Sequence, residues 1–252
     1  MKDSGQSESR LTDLARQANR KGIVCFSDFL NLSELHNVHS IAGQLEGTYR
    51  CFGGYEGAER QMVAWIPDAF SYAWQYPIRC IQIEPLYPKY AETLSHRDVL
   101  GALMNLGIRR EKLGDILAGE SGCYFFCKQE LADYLAEQLC QIRHTEVRCR
   151  LISAEETERL QLKPSFMECE KIIASNRLDN LVSALTGLSR SKASAMIASG
   201  KVFINGEPCS HNTYAAKEAD VISVRGFGKF IFRGISGETR KDRLKMVFQK
   251  YV

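Results

Sequence analysis

Apolar residues recur at two periods along the chain, and the switches between periods mark its elements. Leu11, Leu14, Ala15 and Ala18 have helical spacing, as do Leu32, Leu35 and Val38. Tyr49-Arg50-Cys51-Phe52 reads as a strand and Gly53-Gly54 breaks it. Met62 to Ile66 reads as a second strand, which Pro67-Asp68 stops. The pattern predicts a small α+β unit over residues 1–77.

From Ile78 the order is more legible. Ile78 to Glu84 alternates as a strand and Pro85 ends it. Ser95 opens a helix, with Asp98 three residues on as a capping acid. Val99, Leu100, Leu103 and Leu106 form its apolar stripe, and Gly107 fits its C-terminal cap. Asp115 to Ala118 and Gly122 to Cys127 predict a hairpin around Gly119-Glu120-Ser121. Leu131, Leu135, Leu139 and Ile142 predict a second helix, and Glu146 to Ile152 a last strand. The order β-α-β-β-α-β over residues 78–153 is the split βαβ, ferredoxin-like pattern. RNA-recognition domains share it, but the third strand, GCYFFC, lacks the basic residue and the spacing of their signature. Tyr124 and Phe126 keep two readings, stacking on bases or packing in a core. Residues 154–169 read as a polar connector with a short amphipathic stretch.

The last segment, 170–252, predicts two short helices on a small sheet. Leu178, Leu181 and Leu185 line the first helix and Gly187 breaks it. Ser189 caps the second, Ala193, Met196 and Ile197 face inward, and Gly200 closes it. Val202 to Ile204 is a strand, and Asn205-Gly206 is a strong hairpin-turn signal. Val221 to Val224 and Phe230 to Phe232 read as paired strands joined by Arg225-Gly226-Phe227-Gly228-Lys229.

Charge changes the picture for this segment. The 252 residues carry 33 Lys plus Arg and 30 Asp plus Glu, a net +3, yet Glu170 to Val252 alone holds 14 basic and 7 acidic residues. A basic module on a weakly acidic body points to a polyanion. Arg190 and Lys192 fall in the first turn of the second helix, where the dipole favours anions by ~0.3–1 kcal/mol. Cations there cost helix stability but make, with the free backbone N–H groups, a compact phosphate site. Lys201 follows the same helix, and Arg177, Arg225 and Lys229 complete the expected basic surface, read as one concave grip. Phe227 either stacks on a base, worth ~1–3 kcal/mol, or packs in its hairpin.

Other chemistry is thinly represented. No stretch approaches the ~20 apolar residues of a membrane-spanning helix, and the N-terminal MKDSGQSESR lacks an apolar signal core. The expectation is a soluble, cytoplasmic chain with no membrane partner. Nine cysteines, an odd number without C-x-x-C, read as buried free thiols rather than a disulfide scaffold. His36-x-x-His39 puts two imidazoles on one helix face without a third ligand in sight. There is no P-loop, G-x-S-x-G or H-E-x-x-H. No catalytic residue, cofactor, metal or small-molecule substrate is expected.

Three blocks in order, RLD-x-L from Arg177, SRS-x-A from Ser189 and G-x-V-x-I-N-G from Gly200, resemble the S4-type RNA-binding domain over about Arg177 to Phe232. The resemblance implies binding of structured RNA, mostly through phosphates and shape. It carries over to Arg177, Ser189, Arg190, Ser191, Lys192, Lys201 and Asn205. Arg225, Phe227 and Lys229 lie in a looser part of the pattern. Asp179 and Asn205 also have purely structural readings, as a helix and a turn residue. Phe52-Gly53-Gly54-Tyr55-Glu56 with Ala58-Glu59-Arg60, and His96 to Leu103 with Leu106 to Arg110, resemble the YlmH family of bacterial S4-domain proteins, which includes the photosystem-II S4 relatives. That resemblance implies an α+β chain of three domains: N-terminal α+β (1–77), central RNA-recognition-like (78–153) and, after the connector, C-terminal S4 (170–252). It also implies rRNA and tRNA as partners, on the large ribosomal subunit with peptidyl-tRNA, in rescue or quality control of stalled nascent chains.

Two other classes are kept beside this one. S4 modules also serve as grips on RNA-modifying enzymes such as pseudouridine synthases, which need a catalytic aspartate. The only RLD here, Arg177-Leu178-Asp179, is already used by the S4 pattern. Asp98 and Asp115 are candidates by residue type alone, and capping or turn roles suit them better. The third class is a protein-interaction factor for cell division or photosystem assembly.

Overall fold

Burial of one helical face against a short sheet builds the first layer of the chain. In a computed structural model, which describes residues 2–45, 47–68, 71–119, 122–164 and 166–251, the chain divides into two compact units, residues 1–164 and 165–252. The first opens with α1 (Lys2–Lys21), β1 (Cys25–Phe26), α2 (Leu32–Ile41), β2 (Thr48–Phe52) and β3 (Met62–Ile66). The strands form an antiparallel sheet in the order β1-β3-β2. Leu11, Ala15 and Ala18 of α1 and Leu35 and Val38 of α2 bury against Val63 and Trp65, as their spacing requires. A capping box between Asn31 and Glu34 fixes where α2 begins.

The same unit continues with β4 (Ile78–Pro85), α3 (His96–Asn105), β5 (Leu113–Gly119), β6 (Gly122–Lys128), α4 (Ala132–Gln138), β7 (Gln141–Ile142), β8 (Thr145–Ile152) and α5 (Ala154–Leu160). The second sheet has the order β5-β6-β4-β8-β7, with neighbours antiparallel. Ser95 and Asp98 form the expected capping box of α3. Of the expected hairpin turn, Glu120 and Ser121 lie outside the described residues; Gly119 pairs with Gly122 on either side of them. The second helix is shorter than its apolar spacing suggests. It stops at Gln138, and Ile142 instead occupies β7, which turns back through Arg143 at φ 54° to pair with β8. Leu139 and Ile142 are buried in either arrangement, so burial spacing alone did not separate helix from turn.

The two faces of β6 separate. Phe125 and Cys127 pack under α3 and α4 with Leu103, Leu113 and Leu135. Tyr124 and Phe126 point the other way, into a core with Phe29, Tyr55 and Met62 from the first 77 residues. The expected boundary at residue 77 thus separates two sheets within one unit, because they share this core. Gly54 allows the close approach: it has φ +103°, and a Cβ there would collide with the Phe126 ring. Beside it, Asp115 accepts hydrogen bonds from Tyr55 Oη at 2.7 Å and from the backbone N–H groups of Glu59 (2.7 Å) and Arg60 (3.0 Å). Burial pushes its carboxyl up from the ordinary value despite those donors. Arg60 in turn donates to the Leu113 and Phe29 carbonyls. The expected Tyr55 to Arg60 motif is therefore a clasp between the sheets.

The second unit holds β9 (Phe166–Ile173), α6 (Leu178–Thr186), α7 (Arg190–Ala198), β10 (Val202–Ile204), β11 (Glu207–Pro208), β12 (Val221–Val224), β13 (Gly228–Glu238) and β14 (Leu244–Tyr251). Its six-stranded sheet runs β11-β10-β12-β13-β14-β9, and α6 and α7 bury Leu178, Leu181, Val182, Ala193 and Ile197 against one face. Two expectations are corrected here. The segment 154–169 is not only a connector, since α5 lies in it and β9 begins at Phe166, before the expected start at Glu170. The sheet is also larger, because β14 pairs with both β13 and β9 along its length. Charged residues at Glu168, Glu170 and Lys171 hid β9 among polar sequence. Among the described residues no helix is long and apolar enough to cross a membrane.

Candidate nucleic-acid interface

The site begins with a buried acid. Asp179 stands in the first turn of α6, its side chain 4% exposed. Arg177, the residue before the helix, donates to it through Nε at 3.1 Å and Nη2 at 3.4 Å. Arg190, first in α7, donates through Nε at 2.8 Å and Nη2 at 2.7 Å. Burial pushes the Asp179 carboxyl up, but hydrogen bonds from Arg177 and Arg190 outweigh it and hold it below the ordinary carboxylate range. One carboxylate thus orients two guanidiniums while 39% of the Arg177 side chain and 58% of the Arg190 side chain stay exposed. Two cations against one anion leave the triad net positive. The planar Arg fork suits phosphate oxygens.

The start of α7 adds to this. Ser189 caps it, its Oγ accepting from the Lys192 N–H at 3.4 Å and lying 3.1 Å from Ser191 Oγ. The first-turn amides of a helix point along its axis toward whatever lies beyond. Ser189, Arg190, Ser191 and Lys192 are all exposed. Anion-favouring backbone and cationic side chains therefore coincide at this helix end.

The other expected residues lie elsewhere. Lys201 follows the far end of α7, which at 1.5 Å per residue lies roughly 12 Å along the axis from Arg190. Its carbonyl accepts from the Arg225 N–H at 2.9 Å, so Lys201 and Arg225 are backbone neighbours. The Arg225 guanidinium sits 5.3 Å from the centre of the Phe203 ring, a cation–π contact. Phe203 alternates with Val202 and Ile204, which face the helices, so that ring lies on the opposite face of the sheet. Lys229 pairs with Ser223, in the same row as Phe203. The ten residues do not form one concave grip. They divide between the two ends of α7, with Arg225 wrapped toward the far face of the sheet.

Two side chains are occupied by the fold. Asn205 donates through Nδ2 to Asp220 at 2.8 Å and accepts from the Val221 N–H at 2.8 Å, with φ 51° in the turn it shares with Gly206. Phe227 is half-buried and packs on the core. Tyr124 and Phe126 of the first unit are buried, away from any base. Asp98 closes the α3 cap and Asp115 the inter-sheet clasp. Among the described residues no group of three or more His, Cys, Asp or Glu is placed to hold a metal ion, and His39 Nδ1 meets Tyr49 Oη at 2.7 Å. All nine cysteines are free; Cys25, Cys80 and Cys127 are buried, while Cys140 is exposed, contrary to the expectation of buried thiols throughout. Sequence reasoning left the role of Asp179 open. Its only signal was an acid two residues after Arg177 on the inward side of a helix.

Comparison with known proteins bears on both units. Residues 73–156 match the family described as "Putative RNA-binding domain in YlmH", and residues 176–222 match the S4 domain. The chain joins a YlmH-type RNA-binding domain to an S4 domain. The S4 match takes in Arg177 through Asn205 and stops before Arg225, Phe227 and Lys229. A curated relative, ribosome-associated protein quality control protein P2 of Bacillus subtilis (strain 168), is 28% identical over 231 residues, covering 89% of this chain and 86% of the relative. Among solved structures, the cell division protein ylmH from Streptococcus pneumoniae aligns with a TM-score of 0.51 at 20% identity, covering 61% of this chain and 93% of that one; this likeness concerns the fold.

Proposed function

We propose that this chain is a YlmH-family, non-catalytic RNA-binding factor of ribosome-associated quality control in the cytoplasm. It grips structured rRNA and tRNA through its S4 unit, on the large ribosomal subunit beside peptidyl-tRNA. The observation that carries the reading is the Arg177–Asp179–Arg190 triad at the start of α7, inside the S4 match. The Bacillus relative, a ribosome-associated quality control protein, supports the ribosomal setting. The sheet order of the central strands fits an RNA-recognition-like fold. Its aromatic face is filled by the first 77 residues, so the grip is assigned to the S4 unit. Asp98 and Asp115 being committed to capping and to the clasp supports a role without catalysis.

The test is co-sedimentation with purified ribosomes. Arg190→Ala with Lys192→Ala is expected to abolish pelleting and to lower the unfolding temperature, since Asp179 loses its two shortest bonds, while circular dichroism still shows a folded chain at the assay temperature. Unchanged pelleting of the double variant contradicts the site. A nucleoside altered after incubation with ribosomal RNA contradicts the non-catalytic reading.

A further inference from the structure

A second group of cations lies beyond the matched S4 segment. The β13–β14 hairpin ends in Thr239-Arg240-Lys241-Asp242-Arg243. Its turn is tightly built. The Thr239 N–H donates to the Arg243 carbonyl at 2.8 Å and the Asp242 N–H to the Thr239 carbonyl at 3.0 Å. Thr239 Oγ1 accepts from the Arg243 N–H at 3.2 Å, and Asp242 adopts φ 53°. This is a three-residue loop with a left-handed residue before the strand resumes, a common hairpin closure. It holds Arg240, Lys241 and Arg243 exposed at its tip. Among the described residues none of the three is paired with a carboxylate. Three cations on so short a loop outnumber its one acid, Asp242, and leave the tip net positive.

The register says where this tip lies. Leu244 pairs with Ile173, so the residues just before Leu244 run alongside those just after Ile173. The chain leaves Ile173 and reaches Arg177 four residues later, at most about 14 Å of extended chain. The tip therefore adjoins the segment that leads into Arg177, whose guanidinium shares Asp179 with Arg190. The Arg225–Lys229 loop lies at the other end of β13, where Gly228 pairs with Val224. Eleven strand residues separate the two ends, on the order of 30 Å.

We propose that the β13–β14 hairpin tip is a second phosphate-binding element of the RNA surface. Arg240, Lys241 and Arg243 hold the sugar–phosphate backbone of the same folded RNA that Arg177 and Arg190 engage. The inference rests on the RNA-binding reading above and extends its surface past the S4 match, at the expense of Arg225 and Lys229. A sequence-independent phosphate contact suits cations on a turn that presents no base-reading geometry.

The experiment measures affinity of the full chain for purified ribosomes at several salt concentrations. Each phosphate contact adds about 0.7–0.9 to the slope of log affinity against log salt. Arg240→Ala/Lys241→Ala/Arg243→Ala is expected to weaken binding tenfold or more near 0.15 M salt and to flatten the slope by about two. Restoring charge with Arg240→Lys/Arg243→Lys in place of alanine, Lys241 intact, is expected to restore the slope. Wild-type affinity and slope in the alanine variant, while Arg190→Ala/Lys192→Ala loses binding, overturns the hairpin proposal alone. A wild-type chain that does not bind ribosomes overturns the RNA reading and the proposal together. Weaker binding with an unchanged slope also overturns it, since the contact is then not to phosphate.

Discussion

Asp179 shows how one side chain sets the geometry of a surface it barely reaches. It is buried, and its hydrogen bonds to Arg177 and Arg190 fix two flexible side chains that would otherwise lose rotamer freedom on meeting RNA. The effect runs against bulk electrostatics. Asp179→Asn removes a negative charge from the proposed RNA surface, which by charge alone strengthens binding. Positioning predicts the opposite: a several-fold loss of ribosome affinity, with about 1–3 kcal/mol lost from the stability of the S4 unit as charge-assisted hydrogen bonds weaken. Affinity measurements and denaturant unfolding on the same variant separate the two effects, and a gain in affinity contradicts the positioning role. Asn205 makes the reverse case. It matches an S4 signature, yet both ends of its amide serve the turn. Asn205→Ala is expected to cost about 1–2 kcal/mol, from lost hydrogen bonds and a positive φ that alanine tolerates poorly, and to leave ribosome affinity unchanged. The turn itself was legible from Asn-Gly; that its side chain is spent on Asp220 and Val221 was not, because both partners lie 15 and 16 residues away.

At the scale of elements, local signals carried well and long-range ones poorly. Ser95-x-x-Asp98, Ser189 and Asn205-Gly206 each determine a boundary through bonds spanning a few residues, and each element begins or turns where expected. The pairing of β9 with β14 joins residues about 80 positions apart, and nothing local announces it. The Gly53-Gly54 break illustrates the same limit. It reads as a turn, while its position beneath Phe126 depends on a strand 70 residues later. Gly54→Ala is expected to cost 2 kcal/mol or more (about), since the new methyl meets the Phe126 ring and the backbone holds φ +103°. Unfolding monitored by near-UV circular dichroism checks this, and wild-type stability contradicts the described packing of the two sheets. The loss belongs to the first unit; the Arg177–Asp179–Arg190 triad is not part of that core.

For the whole molecule, the charge asymmetry pointed to the third of the chain that holds the S4 match, and the order of the three blocks pointed to the helix pair found there. What sequence could not supply was the arrangement of charge. Arg177 and Arg190 stand 13 positions apart, yet meet on one carboxylate, while Arg225 and Lys229, equally basic, lie at the β12–β13 turn beside Lys201, past the other end of α7. Counting cations treats all of them alike; the register of β12, β13 and β14 does not. The central strands show the complementary limit, because their order suits an RNA reader while Tyr124 and Phe126 are already packed in a core. The most direct test is a cryo-electron microscopy reconstruction of the full chain bound to purified ribosomes. The account predicts Arg177 and Arg190 within about 2.7–2.9 Å of RNA phosphate oxygens, with the start of α7 facing the backbone. A reconstruction in which that helix end faces solvent or ribosomal protein, with RNA held elsewhere on the chain, contradicts it.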